Sequence, residues 1–380
     1  MALTLKRPSF SPSATGPSWN RSTSIGRRAG DRPSGHPSQL KRRDRVLAML
    51  RRIFLAVFLG LLLPVLPCLL QAQEKIVVSY DGHSGFQGPI WSVQELGLFD
   101  KHGLKAELVL IPGGARAMQA LVSGSVHFAQ GSATAPISLR LQGGDVVMIA
   151  SALNKFPFSM VAQKEILKPA DLVGKKIGIV NFGGSNELAV VLALKEWNIP
   201  RQAVTLVPSG EAANRVVALS TRALDATVLS PPYTTEAVRL GMSLIAHLSE
   251  MKASFPQTVI AVRRSFLEKN RETVKRFVRA YSEAIYQFMT QREKALAVYA
   301  KRLRQQNPKV LEETYRYYAG RFSLPPRLER AGLQNAVQII VPQGGGKSDM
   351  ELNQFYDESV VDELEREGFF KKLTGKDSAR

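Results

Sequence analysis

At 380 residues the chain is long enough for two domains of ordinary size and a substantial core. Its 51 Lys and Arg against 32 Asp and Glu leave a formal net charge of +19, but about half of that excess falls within residues 1–52, where only Asp31 and Asp44 oppose the basic side chains. The remainder is scattered, with no basic stripe and no reader motif, which argues against a nucleic-acid partner.

Residues 1–48 are rich in Pro, Ser, Gly and Arg, with almost nothing to pack, and read as a disordered basic leader. Met49 is an alternative start. Residues 49–72 follow as MLRRIFLAVFLGLLLPVLPCLLQA: two arginines, an apolar run from Ile53 to Leu70, and a small residue at the exit. That order describes a secretory signal peptide cleaved near Ala72, with Pro64 and Pro67 arguing against a retained span. The single cysteine, Cys68, lies inside this segment behind Pro67, a poor setting for lipidation. A mature chain lacking Cys68 has no disulfide, so its stability must come from its core.

From Lys75 short apolar runs alternate with helical patterns: KIVVSY, PIWSVQELGLFDKHG, KAELVLIP, GARAMQALVSG, VHFAQG. This β-α-β-α-β order predicts a mainly parallel sheet covered by helices. About a hundred residues on, it recurs. KIGIVNFGGS answers KIVVSYDGHSG, VTLVPSGEAANRVVALS answers ELVLIPGGARAMQALVS, and LDATVLSPPYTTEAVRLG answers VHFAQGSATAPISLRLQG. The chain therefore reads as two similar α/β lobes: 75–165 for the first part of lobe 1, 166–255 for lobe 2, 256–340 for a return to lobe 1 with C-terminal helices, and 341–380 for a last turn and helix. Ligands bind at the carboxyl edge of open α/β sheets, and two such edges facing each other make a cleft.

In the return segment, Val274, Phe277, Val278, Tyr281, Ile285 and Phe288 recur at helical spacing and read as core. The tail MELNQFYDESVVDELEREGFF reads as an acidic amphipathic helix packed on a lobe. GGGKS at 344–348 lacks the first glycine of a phosphate loop, since Val341 stands there. His83, His102, His127 and His247 lack metal spacing, no nucleophile elbow occurs, and no carboxylate pair stands out.

The segments GPIWSVQELGLFDKHGLKAELV, ALVSGSVHFAQGSATAPISLRLQGGDVVMIAS, DLVGKKIGIVNFGGS and ALDATVLSPPYTTEAVRLG, in this order over residues 75 to 340, resemble periplasmic solute-binding proteins of ABC importers. The branch is the nitrate/sulfonate/taurine-like, or NMT1/THI5-like, group. The resemblance implies a type 2 periplasmic-binding-protein fold of two α/β lobes, a periplasmic location, a small-molecule solute, and an ABC permease with its ATPase as partners. With no catalytic constellation visible in the sequence, we further expect a monomer with no cofactor and no catalytic residue. The family's thiamin-pyrimidine enzymes carry a cysteine-rich segment that this chain lacks. A secreted enzyme using the same cleft, or a sensory binding subunit, stays as an alternative.

The candidate ligand-binding residues follow from the cleft. In lobe 2, Gly184, Ser185 and Asn186 open the helix after the first strand, where Ser185 either caps the helix or donates to a ligand. Glu187 in that first turn offsets the positive helix end and tells against a strongly anionic ligand. In lobe 1 the counterparts are Gly131, Ser132 and Ala133. The resemblance adds Trp91 as a cleft-facing ring, with core packing as the rival reading, and Phe86 and Gln87 in the loop before it. Ser230 and Tyr233 lie at a second-lobe strand end, and Asn154 sits near the crossover.

Overall fold

The computed structural model describes residues 48–52, 54, 74–344 and 351–375. Residues 48–52 and 54 are helical; the rest of the expected leader and signal peptide, Cys68 included, and most of GGGKS lie outside the described residues.

Residues from Glu74 onward build two five-stranded sheets of matching topology. The first contains β1 (Glu74–Tyr80), β2 (Leu104–Leu110), β3 (Phe128–Gly131), β4 (Val147–Leu153) and a strand that returns much later, β10 (Thr258–Val262), in the order β2-β1-β3-β10-β4. The second contains β5 (Ser159–Ala162), β6 (Lys176–Ile179), β7 (Thr205–Pro208), β8 (Ala226–Leu229) and β9 (Ser243–His247), in the order β7-β6-β8-β5-β9. β1 pairs in parallel with β2 and β3, as β6 does with β7 and β8. These are the three strand pairs matched by the sequence repeat.

Each sheet also holds one antiparallel insertion, β10 beside β3 and β4, and β5 beside β8 and β9. The pairing of β5 moves the boundary between lobes: a division at 165 and 166 leaves Ser159–Ala162 in lobe 1, whereas its hydrogen bonds put it in the second sheet. The chain therefore crosses between lobes over residues 154–158 and again over 248–257. Such a non-sequential antiparallel partner has no counterpart in a reading that follows chain order.

Helices cover the sheets: α1 (Gly88–Glu95), α2 (Gly114–Ser123) and α3 (Thr134–Leu141) in lobe 1, and α4 (Ser185–Glu196), α5 (Ala212–Ser220) and α6 (Tyr233–Arg239) in lobe 2. After β10 come α7 (Arg271–Thr290), α8 (Arg292–Leu303), α9 (Pro308–Ala319) and α10 (Arg330–Gly344), and the tail supplies α11 (Ser359–Arg366). The α7 stripe from Val274 to Phe288 is buried as its spacing predicts, and Phe277 stacks on Phe128 of β3 with ring centroids 3.9 Å apart. Burying side chains of this size contributes about 1.5–3 kcal/mol each. On α11, Val360, Val361 and Leu364 are buried while Glu363 accepts from Arg271 at 3.0 Å, so the acidic tail helix docks on α7. Tyr356, just before it, bridges to Met148 of β4 and ties the tail to lobe 1. Among the described residues no helix is long and apolar enough to cross a membrane.

Candidate ligand-binding site

The parallel strands of both sheets point their carboxyl ends at one cavity of about 670 Å³. Lobe 1 contributes the loop after β1 and residues along the whole length of α2 and α3; lobe 2 contributes the turn after β6, the start of α5 and the residue after β8. Phe158 and Gln257, one from each crossing segment, complete the wall.

Of the residues singled out from sequence, Phe86, Ser132, Gly184, Ser185, Asn186 and Ser230 line this cavity. The other six do not. Trp91 is fully buried, edge-on to Tyr80 and Tyr299, and belongs to the core. Ala133 is buried, its N–H given to the Pro256 carbonyl at 3.1 Å. Gly131 faces Asp81: a Cβ there would lie 3.1 Å from Asp81 Oδ2. Asn154 serves the crossover, donating to the Arg327 carbonyl at 2.9 Å and accepting from the Glu329 N–H at 3.2 Å. Tyr233 opens α6 and packs against the smaller core of lobe 2.

Gln87 has a more specific duty. It is fully buried, and its amide donates to Asp81 Oδ1 at 2.6 Å. Its own oxygen accepts from the Gln130 amide, and Gln130 in turn accepts from the Tyr281 hydroxyl at 2.8 Å. A chain of donors thus runs from the α7 core to a single carboxylate at the cleft, each bond polarising the next. Gln87 is therefore a positioning residue for Asp81.

Asp81 and two further charged residues, Glu211 and Arg215, are the charged side chains that line the cavity, and sequence reading missed all three. Asp81 follows β1 in lobe 1; Glu211 is the N-cap residue of α5 and Arg215 lies in its first turns. Burial pushes the Asp81 carboxyl up to about 6, the Gln87 amide pulls it back, and Glu211 across the cleft adds to the rise. Burial also raises Glu211, opposed by Arg215. Arg215 is itself lowered to about 10 by burial, and its Nη1 donates to the Val228 carbonyl at 2.6 Å and to Thr227 Oγ1 at 3.3 Å. The absence of a carboxylate pair in the sequence is thereby corrected: Asp81 and Glu211 stand 130 residues apart and meet only because the lobes face each other. The match of VTLVPSGEAANRVVALS to ELVLIPGGARAMQALVS is the available signal, since Glu211 immediately follows the Pro208-Ser209-Gly210 turn of the first of these segments.

The glycine turn of lobe 2 also differs from its sequence reading. Gly184, not Ser185, is the N-cap of α4, and no side chain caps it. Gly183 has φ +74°, and its N–H is taken by Glu187 Oε2 at 2.6 Å. Among the described residues no cluster of His, Cys, Asp and Glu is placed to hold a metal ion.

The family model described as NMT1/THI5 like matches residues 88–295. A Brucella abortus (strain 2308) protein named as a candidate binding protein is 30% identical over 248 residues, which span 62% of this chain and 73% of that protein. The ligand-binding component of an ABC-type import system from Staphylococcus aureus, solved with zinc bound, superposes with a TM-score of 0.64 at 17% identity, covering 77% of this chain and 99% of the other. The alkanesulfonate-binding protein SsuA from Xanthomonas axonopodis pv. citri, bound to MOPS, gives 0.63 at 16% identity over 74% and 98%. The desulfurization enzyme DszB gives 0.56 at 15% identity over 77% and 99%, so the same fold also hosts catalysis. At these identities the solved structures establish the fold alone, the two-lobed α/β architecture of periplasmic binding proteins. With more than half of its residues matched by the family model, the chain belongs to the NMT1/THI5-like family.

Proposed function

We propose that this protein is the solute-binding component of an ABC importer, capturing a small organic solute between its lobes and handing it to a membrane permease. The observation that carries the reading is the cavity of about 670 Å³ walled by the carboxyl edges of both sheets, a volume suited to a small ligand. Family membership, the binding-protein relative and the import-system neighbour support it. The two crossing segments, 154–158 and 248–257, are the hinge about which the lobes close. Phe86, Ser132, Ser185, Asn186 and Ser230 contact the solute together with Asp81 and Glu211. Export by the 49–72 signal peptide, a periplasmic location, a monomeric state and a permease–ATPase partner complete the proposal.

The test is small-angle scattering and thermal denaturation with and without solute, followed by mass spectrometry of the recovered compound. A smaller radius, a higher Tm and an unchanged compound are the expected results. Conversion of the solute would favour a second reading, an enzyme in the same cleft. That reading draws on Asp81, whose raised carboxyl sits where acid–base work requires it.

A further inference from the structure

Resting on the solute-capture reading, we propose that the cleft selects an organic cation, a solute with protons on a charged nitrogen, and rejects sulfonates and other anions. Asp81 and Glu211 bring one carboxylate from each lobe, against the single guanidinium of Arg215. The two carboxylates outnumber that guanidinium, which donates through Nη1 to Val228 and Thr227 of β8 while its buried Nε has no partner in the protein.

The uncharged groups agree. Asn186 and Gln257 both line the cavity and are more than nine-tenths buried, yet Asn186 Oδ1 and Gln257 Oε1 accept no hydrogen bond from the protein. Buried acceptors require donors, and a protonated nitrogen supplies several. In lobe 2 the helix N-termini, where an anion would otherwise bind, carry acidic side chains. At the head of α4 the Gly183 N–H is held by Glu187, and at the head of α5 the N-cap residue is Glu211 itself. Carboxylates thus stand at both helix N-termini that lobe 2 presents, the positions that otherwise favour negative charge. Phe86, Phe158 and Phe182 add aromatic surface, whose faces attract an organic cation.

A bacterial cell extract, separated by ion exchange at pH 7.5 into cationic, neutral and anionic small-molecule fractions, provides the probes for thermal shift on the dialysed protein. The cationic fraction should raise Tm. Asp81→Asn and Glu211→Gln should each need at least tenfold more of it for the same shift, the loss expected of one hydrogen bond to a charged group. Two variants on different lobes guard against one that folds badly, with apo circular dichroism as the control. A shift from the anionic or neutral fraction alone overturns the inference and leaves solute capture standing. A cationic shift that both variants retain overturns it too. No shift from any fraction overturns solute capture itself, and this inference with it.

Discussion

The backbone N–H of Gly183 and the carboxylate of Glu187 meet at 2.6 Å, so the first turn of α4 is closed by its own helix four residues along. Glu187→Ala should free that N–H and uncover the positive helix end. The lost charge-assisted bond at a partly exposed site is worth about 0.5–1 kcal/mol. A fall of about 1–2 °C in apo Tm is expected, together with a new stabilisation by millimolar sulfate absent from the parent protein. An unchanged Tm and no response to sulfate would show that the contact does not organise the turn.

Asp81 is held as a carboxylate in a place that disfavours its charge. Its folded-state value near 6 lies above the 3.8 of an unperturbed aspartate. A raised carboxyl costs stability while ionised; as pH falls through 6 toward 4 the folded state takes up a proton that the unfolded chain does not, and the cost disappears. The groups facing it are Gln87, Gly131, Glu211 and, behind Glu211, Arg215. Asp81→Asn keeps an acceptor for Gln87 and removes the charge. Its apo Tm should exceed that of the parent at pH 7.5 by roughly 2 °C or more, with the gap closing near pH 4. A variant less stable than the parent at pH 7.5 would mean that the charge is compensated inside the apo protein.

Gln87→Met tests the donor chain from Tyr281. The Gln87 amide lowers the Asp81 carboxyl, so its removal should push Asp81 further up from about 6. Affinity for a cationic solute should then fall at pH 7 and recover at pH 8.5, as Asp81 ionises again. A loss equal at both pH values would assign Gln87 a packing role only.

The architecture was legible because each lobe repeats the same strand–helix pattern, and β1, β2 and β3 do correspond to β6, β7 and β8. The antiparallel strands β5 and β10 were harder. Val161 and Ile260 sit in short apolar runs whose partners are set by the crossings rather than by chain order. At the site, glycine and serine after a strand were readable as cleft edges, since turn chemistry is local. The charges were not: Asp81 and Glu211 acquire meaning only from facing one another across two lobes. Trp91 misled because an apolar position beside a cleft and one beneath it share the same pattern.

That last distinction gives a direct comparison. Ser132 lines the cavity with its Oγ 2.8 Å from Thr134 Oγ1, and Ser185 lines the opposite wall at the start of α4 without capping it. Ser132→Ala and Ser185→Ala should each weaken solute binding by roughly 2- to 12-fold, the worth of one neutral hydrogen bond, with apo Tm nearly unchanged. Trp91→Ala should act in the opposite way. Its ring is fully buried between Tyr80 and Tyr299, so truncation leaves a cavity and costs about 3–5 kcal/mol of stability. The fraction that remains folded should still bind with the parent affinity, because the ring does not reach the cleft. Calorimetric titration at a temperature well below each variant's melting point separates the two effects. If Trp91→Ala loses affinity while the serine variants keep theirs, the solute sits deeper than the cavity between the lobes, against the β1–α1 wall.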